Sequence, residues 1–302
     1  RIAYVLEQSL PLVQEQLPDE ILRVQHLMGL REAIQTIHFP PTLEAARLAR
    51  ERLAFDELFM LVLRAQQQKL AWKTTLRSLS FRVNAEQKNT FITHLPFTLT
   101  PDQVTAINEC LTDMEQSVPM NRLLEGDVGA GKTVVAAAGM YAAWCQGISS
   151  VLLAPTQILA AQHAATLRNI LEKPHGIPVY LLLGGSSKKN ANQTLAGPGI
   201  FVGTHALLEP SVNLPPLGLI VIDEQQRFGV RQRAILRQQT DSKDMAHQLT
   251  MTATPIPRTI AQTVFGNLDM SVLRTLPTGR KPVKTWVVPK EKRMAAYEWI
   301  KK

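Results

Sequence analysis

The chain has 302 residues, 45% apolar and 19% charged, with a formal net charge of +8. This length holds one large or two ordinary domains around a real core. No run approaches the ~18–20 apolar residues that span a bilayer, no signal peptide opens the sequence, and two cysteines without metal-type spacing, Cys110 and Cys145, exclude a disulfide framework. Both read as buried thiols of a cytosolic protein.

Residues 1–94 read as a helical linker and docking region. Phe39-Pro40-Pro41-Thr42 stops one element and starts the next, with Thr42 as the cap of a helix over Ala45–Gln68. Residues 95–275 alternate short apolar runs with helical stretches. The expected strands are Arg122–Glu125, Ser150–Ala154, Val179–Leu183, Gly199–Gly203, Gly218–Ile222 and Gln248–Met251. Their apolar residues do not alternate with polar ones, as in strands covered on both faces. Helices are expected over Lys132–Gln146, Gln157–Leu171 and Arg231–Gln239. The pattern implies an α/β fold: a doubly wound, mainly parallel sheet with helices on both faces, preceded by the helical linker, with ligands at the carboxyl ends of the strands. Residues 276–302 open a further unit, with a strand over Val283–Val288 and a helix over Lys290–Lys302.

Gly126-Asp127-Val128-Gly129-Ala130-Gly131-Lys132-Thr133 fills the phosphate-binding pattern G-x-x-x-x-G-K-[ST]. The glycines let the backbone turn and aim N–H groups at phosphate oxygens. Lys132 supplies a cation for the β- and γ-phosphates and Thr133 a hydroxyl for Mg²⁺. A strand before the loop and a helix after it complete the context that the pattern needs. A nucleotide phosphate site with Mg²⁺ is therefore expected at this loop.

Asp223-Glu224-Gln225-Gln226 ends an apolar strand about 90 residues later. Asp223 is assigned to the metal and Glu224 to activation of the attacking water. Thr252-Ala253-Thr254 comes after another strand, where its hydroxyls can bond to the acid pair and sense the γ-phosphate. Upstream, the amide of Gln103 can read the two-sided edge of adenine, and Phe97 can stack on the base; taken without the other motifs, the pair would read as a helix-start Gln beside a core Phe, and with them both are assigned to the nucleotide. Thr156 and Thr204, each just past a strand, are candidates for nucleic-acid phosphates, with His205, which reads more readily as a packing residue. Residues 1–225 hold 18 basic and 20 acidic side chains, residues 226–302 hold 15 and 5; so clustered an excess fits either nucleic-acid contact or a solvated basic face, and charge alone does not choose between them.

In this order, Phe97 with Gln103, Gly126–Thr133, Ala154–Thr156, Val202–His205, Asp223–Gln226 and Thr252–Thr254 resemble the motifs of superfamily 2 helicases and translocases. The finer resemblance is to the RecG family of bacterial DNA helicases, carried by Asn121–Ala136, Asp223–Val230 and Met251–Thr259; it is specific over about residues 95–290 and looser over 40–94. It implies a RecA-like first motor domain over 95–275, and ATP hydrolysis driving movement on branched double-stranded DNA such as forks and Holliday junctions, in repair and recombination. It also implies catalytic roles for Lys132, Asp223, Glu224 and Gln226, a DNA role for Arg258, a monomer in a bacterial-type cytoplasm or an organelle of bacterial descent, and no membrane partner. A second motor domain and a DNA-binding wedge would belong to the same parent chain, and an arginine finger on that second domain would be worth ~10³–10⁵ in rate. Without them the chain is expected to bind Mg·ATP, hydrolyse it very slowly and leave DNA unwound. Alternatives are the motor of a transcription-repair coupling factor, an RNA helicase, or a nucleotide-regulated interaction module. The sequence departs from the family where Gln226 replaces the usual His, and where Gly184–Gly199 is shorter than the usual stretch.

Overall fold

The structure is a computed structural model that describes residues 1–183, 197–208, 212, 214–224, 244–254, 268–277 and 285–301. Gln226, Arg258, the expected helix Arg231–Gln239 and most of the shortened stretch Gly184–Gly199 lie outside the described residues.

The first region is helical, with α1 (Ile2–Ser9), α2 (Asp19–Val24), α3 (Leu30–His38) and α4 (Leu43–Thr75). Helix α4 outruns its expected limits because Leu, Ala, Arg, Glu and Gln continue without Gly or Pro. The Thr42 hydroxyl accepts the Ala45 N–H at 3.1 Å, as expected of its cap. Arg52 on α4 is fully buried and anchors this layer. Its guanidinium donates to the Met28 carbonyl at 2.9 Å, to Glu15 at 2.5 Å and to Asp56. A buried guanidinium is tolerated because its donors are paired.

The end of this region docks on the sheet layer. Trp72 Nε1 donates to the Pro119 carbonyl at 3.0 Å, and Lys69 pairs with Asp269 at 2.6 Å. The segment after α4 runs along the same layer: Ser78 N–H donates to Ser117 O at 3.0 Å, Phe81 N–H to Met114 O at 2.8 Å, and Ser78 Oγ to Met245 O at 2.7 Å. Phe81 is buried there, edge-on to His247.

Helices α5 (Ala85–Thr93) and α6 (Pro101–Met114) lead into the sheet. Its strands are β1 (Asn121–Gly126), β2 (Ser149–Leu153), β3 (Val179–Leu182), β4 (Ile200–Gly203), β5 (Leu217–Asp223), β6 (His247–Thr252) and β7 (Asp269–Leu273). Their order is β3-β4-β2-β5-β6-β1-β7, and every pairing is parallel. Six of the seven strands match the expected ones within a residue or two. Helices α7 (Lys132–Cys145) and α8 (Gln157–Leu167) cross between strands, as parallel pairing requires.

Side chains alternate between two cores. Leu124, Leu152, Val202, Leu219, Val221 and Leu249 share one cluster with α6, α7 and α8. Val151, Leu153, Phe201, Ile220 and Ile222 face the other way with Leu207. Residues Val134–Ala143 of α7 are all buried, and their Ala-rich composition lets the helix lie close to the sheet.

Four expectations need correction. Strand β7 is absent from the expected set: Asp269 and Ser271 break its apolar run because they pair with Lys69 and Arg122. Residues 285–288 form no strand, and the helix after them is Arg293–Lys301. The helix from Gln157 changes to a π-turn at Arg168–Glu172. Of the two thiols, Cys110 is buried and pushed up to about 12 by that burial, whereas Cys145 is only partly buried.

Candidate functional site

Strand register assembles the site. Along the carboxyl edge of the sheet, Asp223 on β5 stands opposite Met251 on β6, and Glu125 on β1 opposite Thr252. Leu153 on β2 lies opposite Ile222 on β5 and Gly203 on β4. The segments beginning at Gly126, Ala154, Thr204, Glu224 and Ala253 therefore leave the sheet at one edge, where ligands of open parallel sheets bind.

At this edge β1 passes into the glycine loop and then α7. Gly129 and Gly131 have φ of +81° and +85°, a left-handed backbone that side-chain-bearing residues disfavour. At Gly131 a Cβ would also lie 2.2 Å from Gln103 Nε2. Asp127–Gly129 form an exposed crest, while Ala130 is buried. Lys132 Nζ donates to the Gly126 and Asp127 carbonyls at 2.6 and 3.2 Å, so it is held at the loop. Burial pushes its pKa down; the negative charges of Asp223, Glu224 and Asp127 act in the opposite direction. The strand register puts the acid pair at the same sheet edge as the loop that carries this lysine.

Asp223 is buried and bonded through Oδ2 to His163 Nε2 at 2.9 Å. The other ring nitrogen, Nδ1, lies 3.4 Å from Thr133 Oγ1. One imidazole on α8 thus joins the two residues assigned to the metal. Thr133 and Asp223 offer hard oxygen donors, the type Mg²⁺ takes while keeping several waters, and their shared neighbour places them around one locus.

Glu224 has φ +53°, rare for a residue with a side chain. Its N–H donates to Met251 O at 3.0 Å, and its Oε1 accepts the Ala253 N–H at 3.1 Å. These two bonds turn the acid across the end of β6. The Thr252 and Thr254 hydroxyls are 2.9 Å apart, and Thr254 N–H donates to Thr252 Oγ1 at 3.2 Å. The acid pair and the threonine segment are therefore physically joined.

The remaining expected site residues occupy varied environments. Gln103 is buried and both ends of its amide are engaged: Oε1 accepts the Thr100 N–H at 2.9 Å, and Nε2 donates to Ala130 O at 2.8 Å. With the Thr100 hydroxyl accepting Gln103 N–H, this is a capping box at the start of α6. Gln103, expected to read adenine, thus also braces α6 against the glycine loop through Ala130. Phe97 is 45% exposed. Thr156 is exposed and caps α8 by accepting Leu159 N–H at 3.3 Å. Thr204 is buried, and its carbonyl accepts Leu207 N–H. His205 is exposed at the start of a 3-10 turn, so the packing reading of that residue is corrected. His163 is a site residue that the sequence motifs leave out. Its only sequence signal is its place on an expected helix just after a motif segment.

Comparison with known proteins extends these observations. The DEAD/DEAH box helicase family matches residues 100–263. The ATP-dependent DNA helicase RecG of Synechocystis sp. is 40% identical over 307 aligned positions, which span 100% of this chain and 36% of that protein. RecG of Streptococcus pneumoniae is 40% identical over 294 positions, 96% of this chain and 43% of that protein. The chain thus spans about two fifths of the length of these relatives. Among solved structures, RecG bound to a three-way DNA junction superimposes with a TM-score of 0.79 at 35% identity, over 100% of this chain and 41% of that one. The yeast DEAD-box splicing factor Prp28 shares the fold, with a TM-score of 0.51 at 19% identity over 78% of this chain and 63% of that one. With its glycine loop, acid pair and threonine segment on one edge of a parallel sheet, the chain belongs to the DEAD/DEAH box helicase family.

Proposed function

We propose that this chain is the ATP-binding motor segment of a DNA helicase that remodels branched duplexes. The observation that carries the reading is the convergence of Lys132, Thr133, Asp223 and Glu224 on one sheet edge, in a chain similar over its whole length to RecG.

Each residue has a role that its chemistry dictates. The loop N–H groups cradle phosphate oxygens, and the α7 N-terminus adds its dipole. Lys132, held at the loop by two carbonyls, presents its charge to the β- and γ-phosphates. Thr133 and Asp223 would hold Mg²⁺, which supplies neutralisation of the charge developing on the phosphoryl oxygens. Glu224, anchored by Ala253, orients and deprotonates the attacking water. The bond between Glu224 and the threonine segment gives β6 a direct link to the hydrolytic acid. Thr156 and His205, exposed on the same edge, are the described residues that we assign to nucleic acid; Thr204 is buried and is not among them.

Branched DNA is favoured over RNA because the junction-bound RecG structure aligns with the full length of this chain. The experiment compares ATP hydrolysis by the full-length protein containing this sequence, with forked DNA, linear duplex or single-stranded RNA added. Forked DNA is expected to stimulate most. Stimulation by RNA alone would assign the motor to RNA, and turnover indifferent to nucleic acid would leave an interaction module.

A further inference from the structure

Helix α8 is not part of the glycine loop or of the acid strand, yet it sends one side chain between them. His163 is largely buried, with 13% of its side chain exposed, beside an Asp223 side chain 10% exposed. Both of its ring nitrogens face residues assigned to the metal: Nε2 lies 2.9 Å from Asp223 Oδ2, and Nδ1 lies 3.4 Å from Thr133 Oγ1. These partners stand 60 and 30 residues away in sequence, so only the fold brings them together.

The chemistry of this bridge is specific. A carboxylate is an acceptor only, so Nε2 donates to it. A neutral ring then offers Nδ1 as an acceptor, and the Thr133 hydroxyl donates its proton there. Both bonds suit cation binding. The threonine proton is drawn away from the face that would meet a cation, which leaves an oxygen lone pair for it. Asp223 Oδ2 is fixed by the ring, which leaves Oδ1 for the cation or its water. Outer groups of this kind orient the ligands that touch a metal, and losing one typically costs about 10–100-fold in metal affinity.

We propose that His163 is a positioning residue for the Mg²⁺ of the nucleotide site, orienting Thr133 and Asp223 together through its two ring nitrogens. The proposal rests on the assignment of Thr133 and Asp223 to Mg²⁺. His163 does not touch nucleotide or metal; its effect passes through the two residues it holds. A side chain that only filled space between α8 and β5 would affect stability and leave the metal dependence alone.

The test titrates MgCl₂ against a fixed concentration of a fluorescent N-methylanthraniloyl-ATP bound to the full-length protein, with binding in EDTA as the metal-free reference. His163→Ala is expected to raise the half-saturating Mg²⁺ concentration about 10-fold or more, while affinity in EDTA stays that of the wild type. His163→Gln keeps a donor near the Asp223 carboxylate and is expected to recover part of the loss. Asp223→Ala supplies the control. If Asp223→Ala raises the Mg²⁺ midpoint and His163→Ala does not, the inference fails while the site reading stands. If neither variant moves the midpoint, the metal site itself is wrong and the inference falls with it. Equal loss of binding with and without Mg²⁺ in both His163 variants would reduce His163 to a packing residue and overturn the proposal.

Discussion

Lowering the pH should loosen the seam between the helical region and the motor through one buried histidine. His247 begins β6 and is fully buried. Its Nδ1 accepts Met120 N–H at 2.9 Å, and its Nε2 donates to Leu79 O at 2.8 Å. The Ser78 hydroxyl lies 3.1 Å from Nε2, and Phe81 packs edge-on at 5.0 Å between ring centroids. The neutral ring satisfies both nitrogens, and a second proton would have to displace the Met120 bond inside the core. Burial accordingly pushes the pKa down from 6.5 to about 4; the Leu79 bond works weakly the other way. Between those two values the unfolded chain binds a proton that the folded chain refuses, so stability is complete above about pH 6.5 and is lost as the pH falls toward 4. At about 1.36 kcal/mol per unit, most of the shift is expressed by pH 4.5, a loss of roughly 2–3 kcal/mol. That is a large part of the ~5–15 kcal/mol that holds a domain folded. Urea unfolding at pH 7.5, 6.0 and 4.5 measures it, in the wild type and in His247→Gln, which does not titrate. The variant should start about 1–3 kcal/mol lower at pH 7.5, with a buried partner left unpaired, and should lose roughly 2–3 kcal/mol less than the wild type on acidification. Parallel pH profiles in the two proteins would refute the reasoning.

Three substitutions test other joints. Lys132→Ala should abolish ATP hydrolysis by the full-length protein and weaken Mg·ATP binding about 10-fold or more, since a hydrogen bond to a charged group is worth about 1.5–3 kcal/mol; far-ultraviolet circular dichroism should be unchanged, and normal turnover would remove Lys132 from the site. Gly131→Ala must adopt φ +85° and place Cβ 2.2 Å from Gln103 Nε2, so it should lower stability by about 1–2 kcal/mol for the left-handed backbone alone and impair nucleotide binding; wild-type behaviour in both assays would contradict the loop geometry. Gly218→Ala would bring Cβ to 2.4 Å from Phe81 Cζ and should cost about 1–3 kcal/mol by overpacking. Adding Phe81→Leu should recover part of that loss, and strict additivity in denaturation would show that the two residues do not touch.

How much of the molecule is legible in the sequence depends on how far apart the interacting residues lie. The glycine loop is legible because each of its constraints is local: a left-handed turn, a cation, a hydroxyl and the start of a helix within eight positions. The central strands are legible because burial on both faces leaves unbroken apolar runs such as Leu219-Ile220-Val221-Ile222. Strand β7 is hidden because its polar residues are satisfied by distant partners: Lys69 for Asp269, Arg122 and Glu109 for Ser271. Gln103 shows a different difficulty. Thr100-Pro101-Asp102-Gln103 is a capping-box sequence, and one amide at that position satisfies either a helix start or an adenine edge; only the folded chain shows it bonded to Thr100 and Ala130. His163 is the extreme case, since no local pattern marks a side chain whose partners arrive from two other elements. The docking of residues 1–94 is hidden for the same reason, being made by Trp72, Ser78 and Phe81 against the Met114–Met120 turn and Met245.

The central claim is that one metal-bound triphosphate is gripped between the Lys132 loop and the Asp223–Glu224 edge. Its most direct test is anomalous diffraction from crystals grown with Mn²⁺ and a non-hydrolysable ATP analogue. The account predicts a single manganese peak between Thr133 Oγ1 and the Asp223 carboxylate, with the γ-phosphate beside Lys132 Nζ. A manganese–nucleotide peak elsewhere on the protein, with Thr133 and Asp223 bound to neither, would contradict it.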